Sequence, residues 1–335
     1  MDEKILVTGG AGFIGSHIVD ELIEQGNNVI VLDDLSGGFI ENINTQAEFV
    51  NGSIEDTRLV QKIFRENKIS HVFHLAAYAA EGLSHFIRRF NYKNNLLGSI
   101  NLINESIKNK IKCFVFTSSI AVYGKNQLPM REDIVPTPED PYGIAKLAIE
   151  QDLKCAKELF GLDYIIFRPH NVIGARQNIN DKYRNVLGIF INQIKRNLPI
   201  TIFGDGEQTR AFTGVKDIAP VIANSIKNQQ AYNQIYNIGA DKPYTVNQLT
   251  EIVKRAMNKP EHEVIYLEAR KEVKDAYSDH NKAKEILGYQ DTTSFEEGIK
   301  EMIEWAENAS IRETEEFKNI EIRENLPKSW RSKEE

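Results

Sequence analysis

Two rhythms of apolar residues alternate along this chain from its first residues. Short continuous runs rich in β-branched side chains, beginning with KILVTG, alternate with longer stretches in which apolar residues recur every three or four positions. Ile14, Ile18, Leu22 and Ile23 set the first such stretch and predict a helix over 13–24. NNVIVLDD and AEFVNGS read as the second and third strands, and Asp56 stands where it would cap a helix over 57–67. HVFHLAA, a helix over 91–108 and KCFVFTSS extend the series to five strands. Pro136, Pro138 and Pro141 mark a loop, a long amphipathic helix over 142–160 follows and ends at Gly161, and LDYIIFRP is a sixth strand. Strands that are apolar on both faces and separated by helices predict an α/β fold, a doubly wound parallel sheet covered on both sides.

The rhythm becomes less regular after the sixth strand. A loop over 174–184 rich in Asn, Arg and Gln precedes a helix over 186–195 and the run PITIFGDGEQTR. The expected organisation is a nucleotide-binding unit over 1–172 and a smaller C-terminal α/β substrate-binding lobe over 173–308, with pieces such as QIYNIG returning to the main sheet. The tail over 309–335 is charged and polar, with Trp330 standing out in it, and is expected to be a surface helix with a frayed end.

Composition narrows the function classes. The 335 residues are enough for two domains with real cores, and 41 Lys+Arg against 48 Asp+Glu give a net charge of −7, the wrong sign for coating nucleic acid. The 2 cysteines, Cys113 and Cys155, are too few for a disulfide framework and read as buried fillers in a reducing compartment. No cysteine or histidine spacing suggests a metal site. The N-terminus MDEKILVTGG lacks the features of a signal peptide, and no apolar run reaches the ~20 residues of a membrane span, so a cytoplasmic protein without membrane contact is expected.

The first strand runs into Gly9-Gly10-Ala11-Gly12-Phe13-Ile14-Gly15 and then a helix. Gly9 permits the tight turn, Gly12 the approach of a pyrophosphate to backbone, and Gly15 the close packing of the helix, whose N-terminus faces the anion. Asp33, at the end of the second strand, can accept hydrogen bonds from ribose hydroxyls and would repel a 2′-phosphate, which favours NAD over NADP. Tyr142 and Lys146 lie four apart on one helical face. An ammonium near the phenol, together with an oxidised nicotinamide, is expected to lower the phenol's pKa and make it a general base toward a sugar hydroxyl. Ser119, at the C-terminal end of the fifth strand, can orient the reacting oxygen.

With these residues in place the chain resembles the extended short-chain dehydrogenase/reductase family, in its nucleotide-sugar epimerase/dehydratase branch. The strings VTGGAGFIGSH, VIVLDDLS, HVFHLAA, FVFTSSIAVYG, PYGIAK, FRPHNVIGARQ, IFGDGEQTR and SDHNKAKEILGY carry the resemblance in order. It implies a Rossmann fold with catalytic Ser119, Tyr142 and Lys146. NAD is expected on Gly9, Gly12, Phe13, Ile14, Gly15, Asp33 and Asp34, on Ser53 (in place of a usual Asp) and Ile54, on the Leu75-Ala76-Ala77 backbone and Asn95, and beside His170. A nucleotide sugar is expected on Tyr78, Glu81, Ser119, Asn171, Asn185, Val186, Phe203 and Arg210, and on Arg270 of Arg270-Lys271-Glu272. Arg176 and Arg184 are candidates for a phosphate clamp, and Arg88 or Arg176 for a sugar carboxylate.

The implied activity is C4 epimerisation of a UDP-hexose, UDP-glucose/galactose or the N-acetyl forms, through a transient 4-keto sugar. A dehydratase, a 3,5- or 5-epimerase, a UDP-glucuronate 4-epimerase or decarboxylase, and a dinucleotide sensor without chemistry stay open beside it. Ile120-Ala121 after Ser119 replaces the Asp-Glu pair of the 4,6-dehydratases, which speaks against that route. The resemblance also implies a homodimer through the helices over 91–108 and 142–160.

Overall fold

The computed structural model describes residues 2–270, 273–308 and 317–331. Lys271 and Glu272, and the stretch 309–316 of the tail, lie outside the described residues. Strands β1 (Glu3–Thr8), β2 (Asn28–Asp33), β3 (Glu48–Asn51), β4 (Lys68–His74), β5 (Cys113–Thr117) and β6 (Tyr164–Pro169) form one parallel sheet with Gln234–Ile238. The order is Gln234–Ile238, β6, β5, β4, β1, β2, β3, so the chain reverses direction across the sheet between β1 and β4. Ligands of such sheets sit at that reversal, beyond the strands' carboxyl ends.

The strands read as continuous apolar runs because both faces are covered. In β5, Cys113 and Val115 face one buried cluster while Phe114 and Phe116 face the other; Ile5 and Val7 of β1 divide from Leu6 in the same way. Helix α1 (Phe13–Glu24) covers the first face through Ile18, Val19 and Leu22. Helix α2 (Thr57–Glu66), capped by Asp56 through the Arg58 and Leu59 amides, covers the second through Val60, Ile63 and Phe64.

Two helices reach the cleft. The one expected over 91–108 is Arg88–Tyr92 and Gly98–Lys108 with a π-helical turn over Lys93–Leu97 between them. The long helix is Pro141–Phe160; Asp140 caps it by accepting from the Gly143 amide at 2.9 Å, and Gly161 ends it at a φ of 76°. Cys155 is exposed on this helix, contrary to expectation, because Ile149, Leu153 and Ala156 set the buried stripe and Cys155 falls on the opposite side. A third apolar cluster, including Phe190, Ile202, Leu249 and Ile299, forms the core of the smaller lobe.

The described part of the tail differs from the expected surface helix. Residues 317–331 have irregular backbone with one 3₁₀ turn at Lys328–Trp330, and Leu326 and Trp330 are buried beside Leu83, Ile87 and Tyr183. Their contacts are with the body and not with one another along a helix, so packing against the body sets the backbone. Among the described residues no helix is long and apolar enough to cross a membrane.

Candidate active site

Glycine builds one wall of the site. Gly9 turns the chain out of β1 with a φ of 73°, and a Cβ there would lie 2.6 Å from the Ala76 amide nitrogen. A Cβ on Gly15 would lie 2.1 Å from the Gly9 carbonyl oxygen, so the helix can start against the turn only without a side chain. Gly12 is the capping residue of α1 and supplies no side-chain cap, which leaves first-turn amides for an anion. Asp33 ties this turn to β2: its carboxylate accepts from the Ala11 amide at 3.0 Å and the Leu35 amide at 2.8 Å, and burial raises its pKa. A cradle that a Cβ would fill, with a carboxylate at the second strand's end, fits NAD.

The cleft that opens from this wall has a volume of about 750 Å³. It brings together the residues expected on cofactor or substrate except Asn95, His170 and two of the anion-binding candidates, Arg88 and Arg176. Asn95 lies behind the wall, on the π-helical turn, where its amide clamps the Tyr78 backbone on both sides: it accepts from the Tyr78 nitrogen at 2.8 Å and donates to the Tyr78 oxygen at 3.0 Å. His170 is turned from the cleft into the interior. Its Nε2 lies 2.9 Å from His280 Nε2, and Gly239 packs against the ring so closely that a Cβ there would overlap it. Burial pulls the ring's pKa down to about 3, so a neutral imidazole is packed there.

The hydroxyl centre forms where β5 meets the long helix. Ser119 follows β5; its oxygen accepts from the Ala121 amide at 3.1 Å, and it hydrogen-bonds the Tyr142 phenol. Lys146, one turn after Tyr142, is 3% exposed and donates from Nζ to the Thr117 carbonyl at 2.7 Å. Below them, Glu150 accepts a forked pair from Arg168 at 2.9 and 2.5 Å and a third bond from the Ser118 hydroxyl at 2.5 Å, fixing the strand end that carries Ser119.

In the chain alone, burial dominates the electrostatics of the pair. Burial, and then the Glu81 carboxylate, push the Tyr142 phenol above its ordinary value of 10.0 against the lowering effect of Ser119. Burial likewise pulls Lys146 down to about 7, with Glu150 opposing it. In the chain alone, desolvation outweighs the neighbouring ammonium, so an acidic phenol requires positive charge brought into the cleft. Asp140, pushed up to about 7 by burial and by Glu81, caps the helix that carries this phenol and lines the same cleft.

The other wall carries polar groups on the smaller lobe. Asn171 and Asn185 sit at φ values of 40° and 65°, and Asn185 caps the Val186–Lys195 helix through the Gly188 amide. The Asn185 Nδ2 is buried without a hydrogen-bond partner. Arg210 lines the cleft with its guanidinium steadied by the Thr209, Val273 and Lys274 carbonyls at 2.7, 2.7 and 2.9 Å. Arg270 lies over the Phe203 ring, 4.7 Å from its centroid. The two clamp candidates separate: Arg184 lines the cleft, pairs with Asp181 and lies 4.3 Å over the Tyr78 ring, whereas Arg176 is held by Asp20 of α1 outside it. Sequence reasoning missed Asp140 and Trp330. An Asp directly before Pro141 at a helix start is a local signal for the first; Trp330 reaches the cleft only through tertiary packing.

Comparison with known proteins agrees with this geometry. The NAD-dependent epimerase/dehydratase family model matches residues 5–239. A protein of Methanocaldococcus jannaschii, provisionally named a UDP-glucose 4-epimerase, is 41% identical over 308 residues, which is 91% of this chain and 98% of that protein. The Thermotoga maritima UDP-glucose 4-epimerase, solved with UDP-glucose, superposes with a TM-score of 0.86 at 39% identity, covering 91% of this chain and 99% of that one. The UDP-N-acetylglucosamine 4-epimerase of Methanobrevibacter ruminantium M1, in complex with UDP-N-acetylmuramic acid, gives 0.84 at 35% identity over 92% and 99% of the two chains. A glycine cradle closed by Asp33, a seven-stranded parallel sheet and a serine–tyrosine–lysine centre at its carboxyl edge thus go with a match over most of the chain: it belongs to the NAD-dependent epimerase/dehydratase family.

Proposed function

We propose that this enzyme is a UDP-hexose 4-epimerase, acting on UDP-glucose/galactose or their N-acetyl forms. The carrying observation is the Ser119–Tyr142 hydroxyl pair on the cleft wall, between the dinucleotide cradle and the polar groups of the smaller lobe, with Ile120 and Ala121 where acid–base chemistry at C5 and C6 would need carboxylates. The Gly9–Gly15 turn and Asp33 would hold NAD⁺, which would supply a reversible two-electron hydride acceptor for C4.

The chain's own residues do the rest. Tyr142 takes the proton of the 4-hydroxyl, and Ser119 holds the same oxygen as it becomes a carbonyl. The 4-keto sugar turns over in the cleft while the nucleotide stays bound, so that C4 presents its opposite face to the dinucleotide cradle, and Tyr142 returns its proton to the same oxygen. Asn171 and Arg210 hold the diphosphate, and the unpartnered Asn185 Nδ2 offers it a further donor. Lys146 positions Tyr142 through the Thr117 carbonyl. The relatives' UDP-sugar names and complexes support uridine as the nucleoside.

One observation favours a second reading. Asp140 and Glu81 line the same cleft as Tyr142, so carboxyl groups of the kind that dehydration of the keto sugar would need are present there. We also read the chain as a cytoplasmic homodimer, joined through the helices that expose Leu97, Ile144, Leu159 and Phe160. The purified protein, incubated with UDP-glucose, UDP-N-acetylglucosamine and UDP-glucuronate, tests the function by NMR and mass spectrometry. Inversion at C4 with unchanged mass is expected; loss of water or carbon dioxide would overturn it.

A further inference from the structure

The described tail crosses the site. Its backbone is pinned to the segment over 78–90: the Glu321 carboxylate accepts from the Arg89 and Phe90 amides, both at 2.8 Å, and the Glu321 amide donates to the Phe86 carbonyl at 2.8 Å. Phe317 packs its ring against Tyr78 and Phe90, with centroids 5.5 and 5.0 Å away. From this anchor the chain reaches the smaller lobe, where Trp330 is 5% exposed. Its ring meets Tyr183 at 5.4 Å and Phe203 at 6.4 Å, edge to face in both cases, and Arg270 lies 5.8 Å from its centroid. Ser329 and Trp330 line the same cleft as the glycine turn and Tyr142.

This corner has a specific chemistry. Phe203 and Trp330 stand at 71° to each other, with the Arg270 guanidinium over the Phe203 face. At that angle a flat heteroaromatic ring would stack on one aromatic face only, with the edge of the other ring and the guanidinium beside it. Arg210, which lines the same cleft from the strand that follows Phe203 in sequence, suits the phosphates attached to such a ring. The relatives are matched almost end to end by about nine-tenths of this chain, which leaves a share about as long as the C-terminal tail without a counterpart in them.

We propose that residues 317–331 are a strap joining the two sides of the cleft, and that Trp330 on it is a wall of the nucleobase subsite facing Phe203. The strap makes the nucleotide half of the site depend on a segment remote from it in sequence. The inference rests on the nucleotide-sugar reading of the cleft and adds to it a residue that sets affinity for the base.

Calorimetry of the full-length protein with UDP and with inorganic pyrophosphate tests it. Trp330→Ala is expected to weaken UDP about tenfold, the scale of one base–aromatic stack, while pyrophosphate binding stays as in the wild type. Trp330→Phe is expected to restore most of the UDP affinity. In a Trp305→Phe background, Trp330 emission is expected to change on adding UDP and to stay constant on adding pyrophosphate. Equal weakening of both ligands would make Trp330 a general packing residue and overturn the proposal, as would undiminished UDP affinity in Trp330→Ala. A wild type that fails to bind UDP overturns it as well. A wild type that binds UDP through Trp330 but leaves UDP-hexoses unchanged overturns the epimerase function and leaves the subsite standing.

Discussion

Lys146 Nζ is 2.7 Å from the Thr117 carbonyl oxygen and 5.8 Å from the centroid of the Tyr142 ring. The ammonium is thus anchored to the end of β5, and it holds the helix that carries the phenol against that strand. Tyr142→Phe is expected to lower turnover by about 10²–10⁴-fold, the range for loss of a general base, with bound NAD retained. Product formation and released dinucleotide, measured on the same sample, check both halves.

Burial of Lys146 has a signature in stability. Its pKa falls from 10.5 to about 7, so between those values the unfolded chain holds a proton that the folded chain has shed, and stability rises with pH there. The penalty is complete below pH 7. Lys146→Met removes it, so the variant's melting temperature relative to wild type is expected to be highest near pH 6 and to fall back by pH 9. A difference that is flat with pH would contradict the burial.

Glu81 is set apart from the catalytic hydroxyls by its charge. Its carboxylate raises both Tyr142 and Asp140. Glu81→Gln is therefore expected to move the rising limb of the kcat/KM profile to lower pH, with turnover kept within about tenfold of wild type. A loss beyond about a hundredfold with no shift of the limb would instead make Glu81 a proton carrier.

Asp33 joins fold and cofactor choice. Asp33→Asn keeps an acceptor for the Ala11 or Leu35 amide but removes the charge that repels a 2′-phosphate. The ratio of NAD to NADP affinity is expected to drop about tenfold or more, read by competitive binding of the two dinucleotides. An unchanged ratio would place the discrimination elsewhere.

Glu150 and Arg168, both almost fully buried, support the strand end beneath Ser119. Arg168→Met is expected to cost about 3–5 kcal/mol by leaving the Glu150 carboxylate without its cation, and the double variant with Glu150→Leu to recover part of it. Denaturant unfolding of the single and double variants checks this.

Sequence by itself determined the parts of this protein that depend on neighbours close in the chain. Five of the seven strands of the main sheet follow from apolar runs that need cover on both faces, the edge strand Glu48–Asn51 from a shorter and less apolar stretch, and QIYNIG, the seventh, was legible as a piece that returns. The glycine turn was legible because a Cβ at Gly9 or Gly15 has no room, and the Tyr142–Lys146 pair because four residues make about one helical turn. Tertiary structure decided what depends on distant contacts. His170 follows a strand whose end faces the cleft, yet its ring turns inward because His280, far along the chain, offers it a partner. In the chain alone the Tyr142 phenol is raised because Glu81 and the surrounding burial come from elsewhere in the fold. Trp330 lies in a largely charged and polar tail and reaches the cleft because its indole finds apolar surface on both sides of it; no local pattern encodes such a contact.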